Sequence, residues 1–175
     1  SPAEEALAAE LDPSSGSAWA KLHGNLTSQI MVSMERDGEE QTLTMSEVRN
    51  LAADPDRSTR QRAYEAELRA WEASALPLAA AMNGIKGQVN TLSSKRGWRE
   101  PLDQSLFQNH IDREVFEALL TASRGSFPDF RRYLRLKAGA IGVPALAWYD
   151  LLAPVGESSR TWKWSEATSF ITEQF

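Results

Sequence analysis

One long stretch of the chain decides the fold: DRSTRQRAYEAELRAWEASALPLAAAMNGIKGQVNTL, residues 56–92. Its apolar residues recur at alternating spacings of four and three, which places them on one face of a helix. This stripe consists of Tyr64, Leu68, Trp71, Ala75, Leu78, Met82, Ile85, Val89 and Leu92. Asp56 is a good N-cap, and Pro77 falls inside the stripe without shifting its phase. The stretch therefore predicts a helix, kinked or restarted at the proline, that must pack on other elements.

The elements before this helix are short. The pattern predicts helices over residues 4–11 and 17–26, and β-type residues flank Asp37-Gly38. That dipeptide is a strong hairpin signal, so we expect strands near residues 29–35 and 40–44. Ser46 is expected to cap a brief helix that ends near Ala53.

Further helices are expected after a loop at residues 95–101. Asp112 is expected to cap a helix that carries Val115, Phe116, Leu119 and Leu120. Pro128 suits the first turn of another helix, whose predicted buried set is Phe130, Tyr133, Leu134 and Ile141. Residues 142–144 should stop it, and residues 147–156 should be extended or irregular. Ser165 is expected to cap a final helix through Phe175. The predicted fold is mainly α: one multi-helix lobe over residues 1–175, with one small β-hairpin near residues 29–44.

Composition excludes several classes of protein. The chain has 175 residues, a net charge of −5 and no cysteine. The charge argues against a nucleic-acid partner, because binding phosphates requires clustered cations. Without cysteine there is no disulfide, thiolate metal site or thiol nucleophile. No apolar run approaches the roughly 18 residues of a membrane span, and the first residues lack a signal-peptide pattern. We expect a cytoplasmic location and no membrane partner.

The sequence shows no catalytic set. His23 and His110 lack a further ligand at metal-binding spacing, so partly exposed histidines at helix ends are expected. Neither flanks a serine in a nucleophile motif. Gly84 and Gly87 resemble a phosphate loop but have no preceding strand, so they predict close helix approach or local flexibility. Asn83 and Lys86 would then make buried polar contacts.

Asp150 is the carboxylate that stands out. Its neighbours Trp148, Tyr149, Leu151 and Leu152 are of a kind that desolvates a carboxyl and raises its pKa. A capping or turn-bonding aspartate is the alternative, and the stronger one. A metal-free hydrolase that uses Asp150 and His110 is a further hypothesis.

The basic residues near the middle of the second half and the tryptophans can each be interpreted structurally or functionally. The basic run of Arg131, Arg132, Arg135 and Lys137 is expected to pair with acidic neighbours or to steer a carboxylate ligand. The tryptophans are expected in the core or at a lobe interface, and they are Trp19, Trp71, Trp98, Trp148, Trp162 and Trp164.

Six motifs in order carry a family resemblance. They are GSAWAKLHGNLTS, DPDRSTRQRAYEAELRAWE, AAAMNGIKGQVNTLSSKRGW, SFPDFRRYLRLKAGAIG, LAWYDLLAPVG and KWSEATSFITEQF. Together they span about residues 17–175 and resemble the oligoendopeptidase F family, zinc metallopeptidases related to thimet oligopeptidase. The resemblance implies a protease that cleaves short peptides, with zinc polarising the peptide carbonyl and activating water.

The family's metal site does not map onto this sequence. Its zinc ligands are an HExxH helix and a downstream glutamate, which the resemblance places after the equivalent of Phe175. We therefore assign no catalytic and no metal-binding residue here, expect this chain to bind no zinc and to be inactive alone, and leave its substrate-binding residues unassigned. Residues 147–156 and the helix after them resemble a bridge into a catalytic part that this sequence does not contain.

The leading hypothesis is a non-catalytic helical lobe that walls the peptide cleft of such an enzyme. The alternative is a stand-alone helical module that binds a peptide or protein without catalysis. If the chain is a lobe of a larger enzyme, the face formed by Trp148, Tyr149, Phe170 and Phe175 should be apolar and open, or buried in a dimer.

Overall fold

The computed structural model describes residues 1–36, 38–156 and 161–174. It is mainly helical with one antiparallel hairpin, so the predicted fold class is confirmed. The elements are α1 (Pro2–Leu11), α2 (Gly16–Ser28), β1 (Met31–Arg36), β2 (Glu39–Thr44), α3 (Met45–Asn50), α4 (Arg57–Ala73), α5 (Ala75–Lys95), α6 (Pro101–Gln108), α7 (Arg113–Ala140) and α8 (Trp164–Gln174). Short 3-10 helices lie at Asp12–Ser14, Leu51–Ala53 and Trp148–Asp150. Among the described helices, none combines the length and apolar character that crossing a bilayer demands.

The hairpin forms where the sequence predicts it. Strand β1 pairs antiparallel with β2, and Val32 lies opposite Leu43. Gly38 has a φ of +82°, the left-handed conformation that a tight turn favours and that glycine adopts without strain. Asp37, the other residue of the predicted turn, lies outside the described residues.

A core cluster of buried apolar side chains lies between the hairpin and the helices that follow it. Side chains alternate along β1, so Val32 and Met34 both point inward and are buried. They pack with Val48 of α3 and with Ala63 and Ala66 of α4. Alanines at these positions let the hairpin approach the α4 backbone closely.

The predicted apolar stripe is therefore not the buried face of α4. Tyr64 and Trp71 are half-buried and Leu68 is exposed, while the alanine face carries the core. Ala63 and Ala66 are buried because the hairpin packs over them. The larger side chains of the predicted stripe lie at the edge of this contact. The stripe prediction is wrong for this helix, although its helical period is right.

The long helix restarts near Pro77, which is one of the two outcomes that the sequence predicts. Helix α4 ends at Ala73, and α5 begins after Ser74. Pro77 therefore falls in the first turn of α5, where its missing N–H costs no hydrogen bond. Helix α5 packs against α2, and a Cβ on Gly84 would lie 2.5 Å from the Trp19 ring. Gly84 thus allows the predicted close approach, whereas no neighbouring atom would contact a Cβ on Gly87.

The second half of the chain differs from the predictions in three ways. Helix α6 was not predicted, because its eight residues are fewer than the roughly 11–18 over which apolar periodicity is recognised. Pro128 does not begin a helix but lies inside α7. Both Pro128 and Arg124 are exposed, so water can hydrate the Arg124 carbonyl that loses its hydrogen bond. Within the predicted buried set, Phe130 and Tyr133 are exposed.

Two predicted caps are also wrong by one or two residues. Thr44 caps α3 in a capping box with Glu47, where we expected Ser46. Helix α8 begins at Trp164, so Ser165 already lies inside it. Glu166 accepts a hydrogen bond from the Lys163 N–H instead, at 3.1 Å. The predicted last residue of this helix, Phe175, lies outside the described residues.

The two glycines of α5 give a test of its packing against α2. Gly84→Ala places a methyl group against the Trp19 ring, and we expect overpacking to cost about 1–3 kcal/mol of unfolding free energy. Gly87→Ala is the matched control, because it meets open space and should stabilise the helix by about 0.5–1 kcal/mol. Urea unfolding of both variants measures the difference. Equal stabilisation by the two substitutions would show that Trp19 does not pack on Gly84.

Candidate functional site

The two histidines do not form a site. His23 is half-buried within α2, and His110 is an exposed residue after α6 with a φ of +54°. Over residues 1–36, 38–156 and 161–174, no three His, Asp or Glu side chains lie close enough together to hold a metal ion. The described residues therefore do not fit the zinc that the family resemblance implies, and no chemical step is assigned to a metal here.

Asp150 is the candidate that the structure places in a built environment. Its side chain is 0% exposed and lies against the first turn of α4. Arg57 donates from Nε to Oδ1 at 3.1 Å and from Nη2 to Oδ2 at 3.0 Å. Arg60, itself only 3% exposed, donates from Nη2 to Oδ1 at 3.1 Å. One carboxylate thus joins two arginines that are 90 and more residues away in sequence. We call Asp150, Arg57 and Arg60 the arginine clamp.

The N-cap of α4 positions both arginines. The Asp56 carboxylate accepts hydrogen bonds from the Ser58 and Thr59 N–H groups, at 3.3 and 2.8 Å. The Ser58 hydroxyl, then the Thr59 hydroxyl and N–H, hold the pKa of the Asp56 carboxyl well below its ordinary value. A cap fixed in this way sets the first turn, and residues three apart on a helix lie on one face. Arg57 and Arg60 therefore point at the same carboxylate.

Arg60 is saturated with hydrogen bonds. Its guanidinium also donates to the carbonyls of Asp54 at 2.7 Å, Pro55 at 3.0 Å and Tyr149 at 3.2 Å. A buried cation with this many partners is structural, because every donor that it loses would be left unsatisfied. Arg60 therefore fixes three segments at once: the chain before α4, α4 itself and the 3-10 helix at Trp148–Asp150.

Asp150 also closes its own turn. Its Oδ2 accepts the Ala147 N–H at 3.0 Å. Burial acts to raise the pKa of the Asp150 carboxyl, but hydrogen bonds from Arg57, the Ala147 N–H and Arg60 outweigh it, so this pKa lies below its ordinary value. The expectation of a raised pKa is wrong, and the turn-bonding alternative is confirmed. A carboxylate that stays ionised and fully bonded does not serve as a general acid.

No hydrogen bond of the described residues joins Asp150 to His110. Asp150 is fully buried, whereas His110 is exposed beyond α6. The hypothesis of a metal-free hydrolase around these two groups has no support in this arrangement.

The predicted basic run divides into two kinds of residue. Lys137 is buried and donates from Nζ to the Leu151 carbonyl at 2.7 Å, which ties α7 to the same segment as the clamp. Arg131, Arg132 and Arg135 are exposed, and none makes an ion pair with a described residue. The predicted pairing with acidic neighbours is therefore wrong. Asn83 and Lys86 are likewise exposed and do not form the expected buried contacts.

A groove opens beside the clamp, between α3, α4 and the Trp148–Asp150 helix. Its volume is about 510 Å³, and its lining includes Val48, Tyr64, Trp148 and Leu152. The Tyr64 and Tyr149 rings pack with their centroids 5.8 Å apart, and the Arg57 guanidinium lies 4.9 Å from the Tyr149 ring centroid. Such a groove can hold an apolar or aromatic side chain, but nothing in its lining supplies a nucleophile or a free base.

The apolar face expected near the end of the chain is open where it is described. The exposed fraction of Trp148 is 72%, Phe170 is also exposed, and Tyr149 is half-buried. Phe175 lies outside the described residues. The six tryptophans are not core residues, because none of them is buried.

Sequence reasoning missed Arg57 and Arg60. A signal was present in DRSTR, because cations are unfavourable in the first turn of a helix, where the macrodipole is positive. Two arginines at that position need a compensating carboxylate. The sequence does not reveal which of its many carboxylates provides it.

Removal of the clamp charge gives a direct test. Asp150→Asn keeps the shape but leaves Arg60 buried beside a neutral group, so we expect a loss of about 3–5 kcal/mol in unfolding free energy. Asp129→Asn, an exposed carboxylate on α7, is the control and should change stability by less than about 0.5 kcal/mol. Chemical unfolding checks both. Similar small effects would contradict a structural clamp.

The same contact predicts a dependence on pH. The pKa of Asp150 is lower in the folded than in the unfolded chain, so its stabilisation is present above the unfolded pKa of about 4 and is lost as pH falls through the folded pKa. The stability difference between the wild type and Asp150→Asn should be constant above about pH 5 and should shrink below about pH 4. Urea titrations at a series of pH values measure it, and a difference that grows on acidification would refute the assignment.

Comparison with known proteins finds that the chain is similar to segments of two curated peptidases. No family model matches the chain. It is 27% identical over 136 residues to the group B oligopeptidase PepB of Streptococcus agalactiae, and this alignment covers 74% of the chain. It is 26% identical over 131 residues to an oligoendopeptidase F homolog of Lactococcus lactis, covering 71% of the chain. These alignments span only 22% and 21% of the two relatives.

A solved structure shows the same fold. The oligoendopeptidase-F of Enterococcus faecium matches 91% of this chain with a TM-score of 0.80 and 24% sequence identity, and the match covers 31% of that protein. The chain thus spans between a fifth and a third of the proteins that it matches. The resemblance indicated by the six motifs is confirmed: the chain is similar to a segment of proteins of the oligoendopeptidase F family.

Proposed function

We propose that this chain is the non-catalytic helical lobe of an oligoendopeptidase F-like zinc metalloendopeptidase that hydrolyses short peptides in the cytoplasm. The observation that carries the proposal is the fold match over 91% of this chain to an oligoendopeptidase-F in which that fold makes up 31% of the protein. The names of the curated relatives support a peptidase parent. In this proposal the metal belongs to polypeptide outside residues 1–175.

The lobe's role would be steric. Cleavage of a peptide requires an extended backbone held at the reacting centre, so rigid walls around that centre select which chains reach it. The contacts that support such rigidity join distant segments: the arginine clamp fixes residues 147–152 to α4, and Lys137 fixes α7 to Leu151. Arg96, the residue after α5, pairs with Glu5 of α1 at 2.7 Å and connects these two helices.

A second function is favoured by the groove beside the clamp. Its aromatic and leucine lining and the exposed Trp148 ring suit a non-catalytic module that binds a peptide or a protein. In that case binding would require Trp148 but no metal. The two functions therefore differ in metal content and in cleavage, and both differences are measurable.

Metal content and activity test the proposal. The purified 175-residue chain should contain zinc far below one equivalent and cleave no quenched fluorescent peptide, because its described residues bring together no ligand cluster. The complete gene product should contain about one equivalent and should lose cleavage when a chelator removes it. One tightly bound zinc in the isolated chain would overturn the assignment of residues 1–175 as non-catalytic. A complete gene product without zinc or cleavage, yet with Trp148-dependent peptide binding, would favour the binding module.

A further inference from the structure

Helix α7 is held at its two ends and open between them. Near its start, Arg113 pairs with Glu100 and Asp103. Near its end, Lys137 bonds to the Leu151 carbonyl. Within the described part of the chain, no other helix or strand packs extensively along the helix between these points.

The open part of α7 is apolar. The residues that we call the α7 stripe lie on one helical face: Phe116, Leu119, Leu120, Phe127, Phe130, Tyr133 and Leu134. Leu119 and Phe130 are each 62% exposed, and Phe127 and Tyr133 are exposed as well. Soluble monomers seldom expose contiguous apolar patches larger than a few hundred Å². An exposed apolar face of this kind marks an interaction surface.

Charges beside the stripe define what can cover it. Arg124, Arg131 and Arg135 follow one another at spacings of seven and four, so they form a row along the edge of the stripe that carries Phe127. They are exposed and have no ion-pair partner among the described residues. A complementary surface is therefore apolar at its centre and acidic along one border.

The lengths of the relatives indicate where that surface comes from. In the Enterococcus faecium enzyme, this fold accounts for 31% of the chain, so most of that protein is additional polypeptide. The unmatched remainder of the present chain is shorter than α7, so at least part of α7 has a counterpart in that larger structure. A covering segment in the same polypeptide has a high effective concentration, which a separate partner or a second copy lacks.

We propose that the α7 stripe is the docking surface for another segment of the same protein: the polypeptide that accompanies this fold in its longer relatives, presenting an apolar surface bordered by carboxylates. This inference rests on the proposed function, because it takes the chain to be one lobe of a longer enzyme. It identifies the face of the lobe that contacts the rest of the protein, and it assigns the row of arginines to that contact.

Hydrogen exchange of α7 tests the inference in two proteins, the 175-residue chain and the complete gene product. Amides of residues 117–134 should exchange at least about tenfold more slowly in the complete product, because docking suppresses local opening. The double variant Leu119→Glu/Phe130→Glu should abolish this protection. Thr121→Glu is the matched control, because Thr121 is exposed and lies about 200° around the helix from Leu119, so it should leave the protection unchanged. In the isolated chain none of these substitutions should lower the melting temperature.

Several results would overturn the inference. They are a gene product no longer than 175 residues, equal exchange in the two proteins, or protection that resists the double variant. Protection of the isolated chain that rises with its concentration, with a doubled mass, would instead identify a second copy as the occupant. Zinc content and cleavage are measured on the same samples. A protected α7 in a product without zinc or cleavage would defeat the proposed function alone, whereas an active product with an unprotected α7 would defeat this inference alone.

Discussion

A single buried carboxylate holds together parts of the chain that are far apart in sequence. Asp150 is inaccessible to water and receives Arg57, Arg60 and its own turn's Ala147 N–H. A buried carboxylate without such partners would be expelled or protonated, and a buried arginine without a carboxylate is equally unfavourable. Asp150 and Arg60, the two buried members of the clamp, are thus each tolerable only because the other is present. This mutual dependence specifies one position for residues 147–152 on α4, which general apolar attraction would not.

The helical character of the chain could be predicted because its main signals are local. The Asp56 cap, the turn at Gly38 and the stop at Gly142 act within a few residues, and each appears in the structure. The helical periodicity of α4 was also predicted correctly, but the face of α4 that is buried was not. Ala63 and Ala66 have little hydrophobicity of their own, and they are buried because the hairpin packs over them. That outcome depends on a tertiary contact.

The site was less predictable than the fold, for a related reason. The sequence marked Asp150 as unusual by its aromatic neighbours, yet the two arginines that determine its ionisation lie about 90 residues earlier. Adjacent residues suggested a raised pKa, and distant ones lower it. Pro128 is a similar case, because a proline in a helix interior is tolerated only where water can hydrate the carbonyl that it leaves free. Neither the environment of Asp150 nor that of Pro128 can be predicted from the residues adjacent in sequence.

The core cluster beneath the hairpin draws all its buried members from one short region of the chain, between Val32 and Ala66. Contacts between residues so close in sequence close only small loops, which cost little chain entropy and form quickly. The clamp, by contrast, closes a loop of about 90 residues. The hairpin with α3 and α4 is thus the part of the fold with the lower entropic cost of closure, and residues 147–152 join it only by closing the long loop. Contacts with the first half of the molecule therefore set the position of residues 147–152, whereas the core cluster of that half forms without them.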